Sequence, residues 1–394
     1  MTFTGWRRVA CAAALLCAAQ AQAELPVETL TMAQLPPPDA YRLYLGDPAM
    51  NHLLDGRTHV IDGASMRYLG MVGTGFAGAV TTSRDGRSLY VATTYLSRLQ
   101  RGTRTDVVEV YGTDDLVLRH EIEIPPKHAQ SLPMRALLAT TADDRFLLVQ
   151  NATPATSVTV VDLANRRAAT EIATPGCYGV IPWPGQPRRF STVCGDGTLA
   201  SFDLDEQGQL AARGTPVPFF DADKDPVFMH YELVGDRLLL LSYAGQVHAI
   251  DLAGEQAKPQ APWPLVDTAT VKQKWQPGGY QLFAVEPRTG RLFVGMHRGA
   301  REGSHKNPAD EIWVVDLASR QRMARLPGRT AVALAIARTE QPRLFVLSGA
   351  DNRILSFDAA PAAQAGAKAL ASAAFKPRTA SAPVGETPVY LGLR

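Results

Sequence analysis

Cysteine is scarce in this 394-residue chain, with four residues, and aromatic residues make up only 7%. Charge of either sign is not in excess, since 40 Lys and Arg face 38 Asp and Glu. Basic residues are scattered rather than gathered in one stripe, which leaves no electrostatic footprint for nucleic acid. Beyond the N-terminus no apolar run approaches the ~18 residues of a membrane helix, so no membrane span is expected in the mature chain. Catalytic signatures are missing as well. The eight histidines form no HExxH or HxH pair, and neither GxSxG nor SxxK occurs. A GxGxxG match at Gly73 to Gly78 runs into Ala79-Val80-Thr81-Thr82 and an Asp-Gly turn. Dinucleotide binding needs a helix there, whose N-terminus receives the pyrophosphate. No catalytic residue, cofactor-binding residue or metal ligand is therefore assigned to this chain.

What is present begins with an export signal. Arg7 and Arg8 precede the apolar run Val9 to Ala19, and a small-residue Ala21-Gln22-Ala23 site follows. That order is the build of a cleaved secretory signal over residues 1–23, and the run is too short to span a membrane. The expected compartment is the periplasm. Cys17 lacks the small preceding residue of a lipoprotein signal. Cleavage removes Cys11 and Cys17 and leaves Cys177 and Cys194. In an oxidising compartment two cysteines at this separation favour one disulfide closing a hairpin-sized loop. A metal pair is the rival reading, without CxxC spacing or an intervening His to support it.

The mature chain, about 370 residues, exceeds what one hydrophobic core usually serves, so it must divide or repeat. It repeats. A strand ending in an acidic turn recurs as His59-Val60-Ile61-Asp62, Val158 to Asp162, Leu199 to Asp203, Val247 to Asp251, Ile312 to Asp316 and Ile354 to Asp358. Val107 to Tyr111 is a further copy, with Gly112 in the acidic position. The seven markers are spaced by 50, 50, 41, 48, 65 and 42 residues, the period of propeller blades. A second marker, a tight turn followed by an apolar strand, precedes most of them: Asp85-Gly86-Arg87-Ser88-Leu89, Asp143-Asp144-Arg145-Phe146-Leu147, Gly235-Asp236-Arg237-Leu238-Leu239, Gly290-Arg291-Leu292 and Pro342-Arg343-Leu344. Such turns supply positive φ, and continuous apolar runs suit strands buried on both faces.

The expected fold is all-β: a seven-bladed β-propeller over residues 51–394, closed by N- and C-terminal strands and preceded by the signal peptide. Residues 24–50 are Pro-rich and read as an N-terminal arm. The Ala-rich stretch 359–386 reads as a connection, helical or loose, before a closing strand in 387–394. His230, His248 and His297 read as hydrogen-bonded wall residues. His305 falls in the polar insertion Arg298 to Asp310, to which the 65-residue interval is assigned.

Several segments resemble the heavy chain of methylamine and aromatic amine dehydrogenases. They are Pro37 to Pro48 leading to Val60-Ile61-Asp62-Gly63, Gly73-Thr74-Gly75-Phe76, and Ser97-Arg98-Leu99-Gln100-Arg101-Gly102-Thr103-Arg104 continuing to Val110. Cys177-Tyr178 to Cys194 is similar to a disulfide loop of that family, and Tyr243 to His248, Trp275 to Gly279 and His305-Lys306 also fit. The likeness runs from about residue 36 to residue 358. It implies two heavy and two light chains in the periplasm, with a tryptophan tryptophylquinone in each light chain and none in this chain. The quinone oxidises a primary amine to aldehyde and ammonia, and a small copper protein takes the electrons. The resemblance places Phe76 at the substrate channel; otherwise Phe76 reads as an ordinary blade-core aromatic. Two readings from other classes stand beside it: a stand-alone periplasmic propeller without redox chemistry, and a propeller hydrolase such as a lactonase.

Overall fold

A computed structural model describes residues 34–359 and 376–393. The signal peptide, the first part of the expected arm and most of the Ala-rich stretch lie outside the described residues. Among the described residues the chain is all-β, with a single five-residue α-helix, Thr268–Lys272, and two 3-10 turns.

The strands form five hydrogen-bonded sheets. The first runs in the order Tyr390–Leu393, Arg42–Asp47, Gly56–Asp62, Arg67–Thr82, Ser88–Leu96, Arg104–Gly112, Leu118–Ile124. The second comprises Leu138–Thr140, Phe146–Asn151, Ser157–Asp162 and Arg167–Ala173, and the third Cys177–Pro182, Arg189–Cys194, Thr198–Leu204 and Leu210–Arg213 with the short Val217–Pro218. The fourth is Val227–Val234, Arg237–Ser242 and Gln246–Asp251, edged by Lys258–Pro259 and Trp263–Pro264. The fifth carries Gln276–Pro277, Phe283–Glu286, Arg291–His297, Ala309–Asp316, Arg322–Ile336, Arg343–Ser348, Ile354–Asp358 and Thr379–Ala380.

Two strands are long because each serves two partners. Arg67–Thr82 pairs with Gly56–Asp62 through its first half and with Ser88–Leu96 through its second. Arg322–Ile336 does the same between Ala309–Asp316 and Arg343–Ser348. Both change partner at a register shift.

The two recurring sequence markers are facing partners across one strand pair. Arg189 lies opposite Asp203, Arg237 opposite Asp251, Arg291 opposite Asp316 and Arg343 opposite Asp358. The Arg189 guanidinium donates to Asp203 at 2.6 Å, and Arg291 pairs with Asp316. The same carboxylates cap the next turn, as where Asp62 accepts from Ala64 N–H at 2.9 Å and Asp316 from Ser319 N–H at 2.7 Å. One acidic residue thus closes a turn and fixes a register, which is why it recurs.

The apolar runs behave as their composition demands. Phe146–Asn151 and Ser157–Asp162 are buried at every position. Cores form between successive sheets. Val108 and Ile122 meet Leu147 and Val161; Val158 and Val160 meet Phe190 and Phe202; Ile181 and Val193 meet Leu238 and Leu240; Leu239 and Val247 meet Phe283 and Trp313. Leu43, Leu45 and Ile61 of the first sheet meet Phe345 and Leu347 of the fifth.

Several details differ from the sequence reading. Residues 42–47, assigned to the arm, are a strand, because Leu43 and Leu45 supply apolar side chains to that last core. The connection contains the two-residue strand Thr379–Ala380. The long interval before Asp316 is not due to residues 298–310 alone, since the segment from Lys258 to Pro277 adds three short strands and the helix.

The C-terminal strand Tyr390–Leu393 pairs antiparallel with Arg42–Asp47, Leu43 facing Leu393. Two buried side chains fasten it. Gln281 Nε2 donates to the carbonyls of Leu334 and Leu391, both at 2.9 Å, while its oxygen accepts from Leu391 N–H at 3.0 Å. Asp47 accepts from the N–H groups of Ala49 at 2.9 Å, Glu386 at 2.6 Å and Thr387 at 3.0 Å. Burial opposes the Asp47 charge, but His59 and these three N–H donors outweigh it, so its pKa falls below the ordinary 3.8. A depressed carboxylate contributes stability above pH 3.8 that is lost as pH falls below it.

Asp47→Asn is expected to cost about 1–3 kcal/mol, measured by urea unfolding at neutral pH. The gap between the two proteins should narrow below pH 4; a gap independent of pH would contradict this role. Cys177 and Cys194 are bridged and face each other across adjacent strands, 17 residues apart in sequence. Replacing both by Ser should remove about 3 kcal/mol by the loop-closure relation, visible as a lower thermal midpoint than that of the oxidised protein.

Candidate functional site

Phe76 lies where Arg67–Thr82 breaks its pairing. The register passes from Phe76 opposite Thr94 to Ala79 opposite Ala92. Gly75 and Ala77, on either side, hold φ values of +54° and +52°. Only glycine suits position 75, because a Cβ there would come 2.6 Å from Thr93 Oγ1. Gly78 likewise has the carbonyl of Thr74 against it. The glycines of the 73–78 motif therefore let a strand bulge at close backbone quarters, and strand rather than helix follows. The bulge leaves Phe76 half-buried, against the reading of an ordinary core aromatic. It lines a depression of about 460 Å³ with Met50, Leu53, Leu96 and Gln100. Met50 and Leu53 are 48% and 42% exposed, an unusual outlay of apolar surface.

Beside the depression stands the hairpin tip 97–103. Ser97 N–H donates to the Thr103 carbonyl at 3.0 Å, Arg98 N–H to that of Arg101 at 3.0 Å, and Thr103 N–H to Ser97 Oγ at 3.0 Å. This internal bonding holds Leu99 outward, 79% exposed at a φ of +60°. The base of the hairpin is anchored by buried Asp106. It accepts from Arg104 at 2.7 and 2.6 Å, from Thr94 Oγ1 at 2.8 Å and from His128 N–H at 2.9 Å. Behind it Tyr95 and Tyr111 donate their hydroxyls to Glu109 at 2.5 and 2.9 Å. Burial raises the Glu109 pKa despite these donors. The family-like segment 97–110 is thus a rigid mount for an exposed apolar tip.

A second site was not legible in the sequence. Arg135, at the 3-10 turn Arg135–Leu137, and Arg338, just after Arg322–Ile336, both reach one oxygen of Glu232 on Val227–Val234, at 3.1 and 2.6 Å. His230 Nε2 donates to the Phe283 carbonyl at 2.8 Å and lies 3.9 Å from the other Glu232 oxygen. Burial pushes His230 down to about 4, so the imidazole is neutral near pH 7. Burial opposes the Glu232 charge too, but Arg135 and Arg338 outweigh it and lower its pKa. For Arg135 burial is likewise outweighed, chiefly by Glu232, and its pKa rises. Arg135 and Arg338 line a cavity of about 390 Å³, with Tyr231, Tyr390, Leu138 and Leu233 in its wall, and with Glu232 they line an adjoining one of about 230 Å³. The signal is invisible in sequence because the three charges lie on separate segments, each a lone Arg or Glu in an apolar context.

The other predicted residues are scattered. His248 and His297 are buried in strands; His297 Nδ1 donates to the Arg298 carbonyl at 3.0 Å. His305 stacks on Tyr243, ring centroids 4.6 Å apart. Among the described residues no group of three or more His, Cys, Asp or Glu converges to hold a metal, and no helix is long and apolar enough to cross a membrane.

Comparison with known proteins adds the family. Residues 39–373 match the family model described as methylamine dehydrogenase heavy chain. The methylamine dehydrogenase heavy chain of Methylobacillus flagellatus is 27% identical over 343 residues, 86% of this chain and 84% of that one. That of Paracoccus versutus is 30% identical over 332 residues, 83% of this chain and 76% of the relative. Among solved structures, a putative 6-phosphogluconolactonase from Bacteroides fragilis aligns with a TM-score of 0.61 at 13% identity, covering 93% of this chain and all but 1% of its own. The β-propeller domain of Cps50 (Swd1) from Myceliophteria thermophila aligns at 0.53 and 10% identity, covering 83% of this chain and 99% of that one. At such identities the two structures speak for a propeller-like all-β fold alone. The sequence match over most of its length carries the identification: this chain belongs to the methylamine dehydrogenase heavy chain family.

Proposed function

We propose that this chain is the large subunit of a periplasmic quinoprotein amine dehydrogenase, a seven-bladed ring that seats a small light chain on the rim around Phe76. The two double-length strands support the blade count: divided at their register shifts, the five sheets become seven four-stranded groups. One strand from each group contributes to the walls of the two adjoining central cavities, through Tyr390, Val80, Leu138, Pro182, Tyr231, Val285 and Ile336. Pairing of Tyr390–Leu393 with Arg42–Asp47 fastens the ends of the ring.

The observation that carries the functional reading is the Phe76 depression within a chain of this family. Exposed Met50, Leu53 and Leu99 make an apolar rim of the kind that becomes an interface core. The heavy chain holds and shields; it lends no acid or base to the reaction. The tryptophan tryptophylquinone of the light chain supplies the oxidation of a primary amine to aldehyde and ammonia, electrons leaving to a small copper protein. Phe76 narrows the approach and so selects among amines by shape. Two heavy and two light chains form the assembly, and this chain is exported through its own signal at residues 1–23.

Purification of the native protein from periplasm should bring down a small partner with quinone absorbance and amine-dependent dye reduction. A lone heavy chain inert to amines defeats the proposal. Leu99→Asp, on an exposed tip, should leave the fold intact and weaken partner binding at least tenfold, about 1.4 kcal/mol, in a titration of separated subunits. Phe76→Ala should shift the ratio of kcat/KM between short and aromatic amines by roughly tenfold with assembly unchanged; equal ratios would refute the selective role.

A further inference from the structure

The Arg135–Glu232–Arg338 cluster sits at the other end of the strand that carries Phe76. Val80 and Thr81 line its cavity, as does Arg84 just beyond the strand. At the usual strand rise Val80 and Thr81 are roughly 13–17 Å along the strand from Phe76, and the two linings share no residue, so the cluster is no part of the depression described above. Its charges do not cancel. Two guanidiniums converge on one carboxylate, and Glu232 is the single acidic residue among those lining this cavity and the smaller one adjoining it. The titratable groups facing it from the other walls are the tyrosines Tyr44, Tyr231 and Tyr390, and His230, neutral as described, lies behind Glu232. Burial raises Tyr231 and Tyr390, which stay uncharged.

Both guanidiniums bond the same Glu232 oxygen, so they are close enough for a second oxyanion to bridge them. Arg338 remains 43% exposed and Arg135 32% exposed, on the cavity side of a carboxylate that is itself only 5% exposed. Arg84, exposed and lining the same cavity, adds a third positive charge. Excess cationic charge facing a low-dielectric cavity attracts an anion, and planar guanidiniums favour bidentate oxyanions. The rest of the wall is mixed: Leu138, Pro182, Leu233 and Leu393 form an apolar part, beside Thr81, Thr82, Ser83 and Thr140. A hydrated inorganic ion leaves the apolar part of that wall unused, whereas the hydrocarbon body of an organic acid covers it.

We propose that this central cavity is a binding site for a small organic carboxylate, its oxygens bridging Arg135 and Arg338 and its apolar body lying against Leu138 and Leu233. Glu232 holds the two arginines in position, and Arg84 draws the anion in from solvent. The site is separate from the amine channel and does not depend on the light chain.

Isothermal titration calorimetry of the full mature chain at pH 7 tests this, with benzoate, acetate and inorganic phosphate as probes in chloride buffer. Saturable benzoate binding at one site per chain is expected, at least tenfold tighter than acetate. Arg338→Gln should weaken benzoate at least tenfold. Arg84→Glu, outside the buried cluster, should weaken it severalfold and serves where Arg338→Gln fails to fold, as judged by its thermal midpoint. Phosphate binding more tightly than benzoate would overturn the carboxylate assignment. No saturable binding of any probe, or benzoate affinity unchanged in folded variants, would overturn the site itself. Subunit co-purification is read separately, so failure here leaves the amine dehydrogenase reading standing or falling on its own test.

Discussion

A sheet edge left open costs unpaired backbone donors and invites association with other chains. The pairing of Tyr390–Leu393 with Arg42–Asp47 covers the edge of the latter strand and joins the two ends of the described chain in one sheet. Among the described residues it is also the longest-range pairing, and so the one most exposed to loss by chain entropy. Gln281 and Asp47 answer that cost with hydrogen bonds that are buried and doubled. Every other group finds its neighbour close in sequence. The junction of first and last sheets alone must be brought together from the ends.

That arrangement frees one end of the structure for recognition. The chain places its irregular backbone where a partner is proposed: the loop before Gly56–Asp62, the bulge at Phe76 and the hairpin tip at Leu99. Each is braced from behind by buried polar groups, Asp106 most of all. The apolar surface is therefore presented by a rigid frame, which limits the ordering cost of binding. At the opposite end of the same strand the frame concentrates positive charge instead. One strand thus links two chemically unlike surfaces.

Much of the architecture was legible because its signals are local. The Asp turns and the Arg-Leu strand starts recur at blade spacing, and their cross-strand pairing explains why both are needed. Cys177 and Cys194 were readable as a bridge for the same reason. What sequence reasoning misplaced was non-local or masked by its surroundings. Arg42–Asp47 follows a Pro-rich stretch and owes its strand to partners at both ends of the chain. The extra length before Asp316 was assigned to the more polar of two insertions, and the less polar one shares it. Phe76 was open to two readings, because the sequence carries no sign that a bulge would turn the ring half outward. The Arg135–Glu232–Arg338 cluster left no trace, as spacing in sequence says nothing about three segments meeting across a central cavity.

The most direct test of the account compares hydrogen exchange in the proposed heavy–light complex with that of the isolated heavy chain. Slower exchange in residues 48–55 and 97–103, with 82–84 and 135–140 unchanged, is the expected pattern for a light chain seated around Phe76. Protection confined to the opposite end, or none at either, would contradict it.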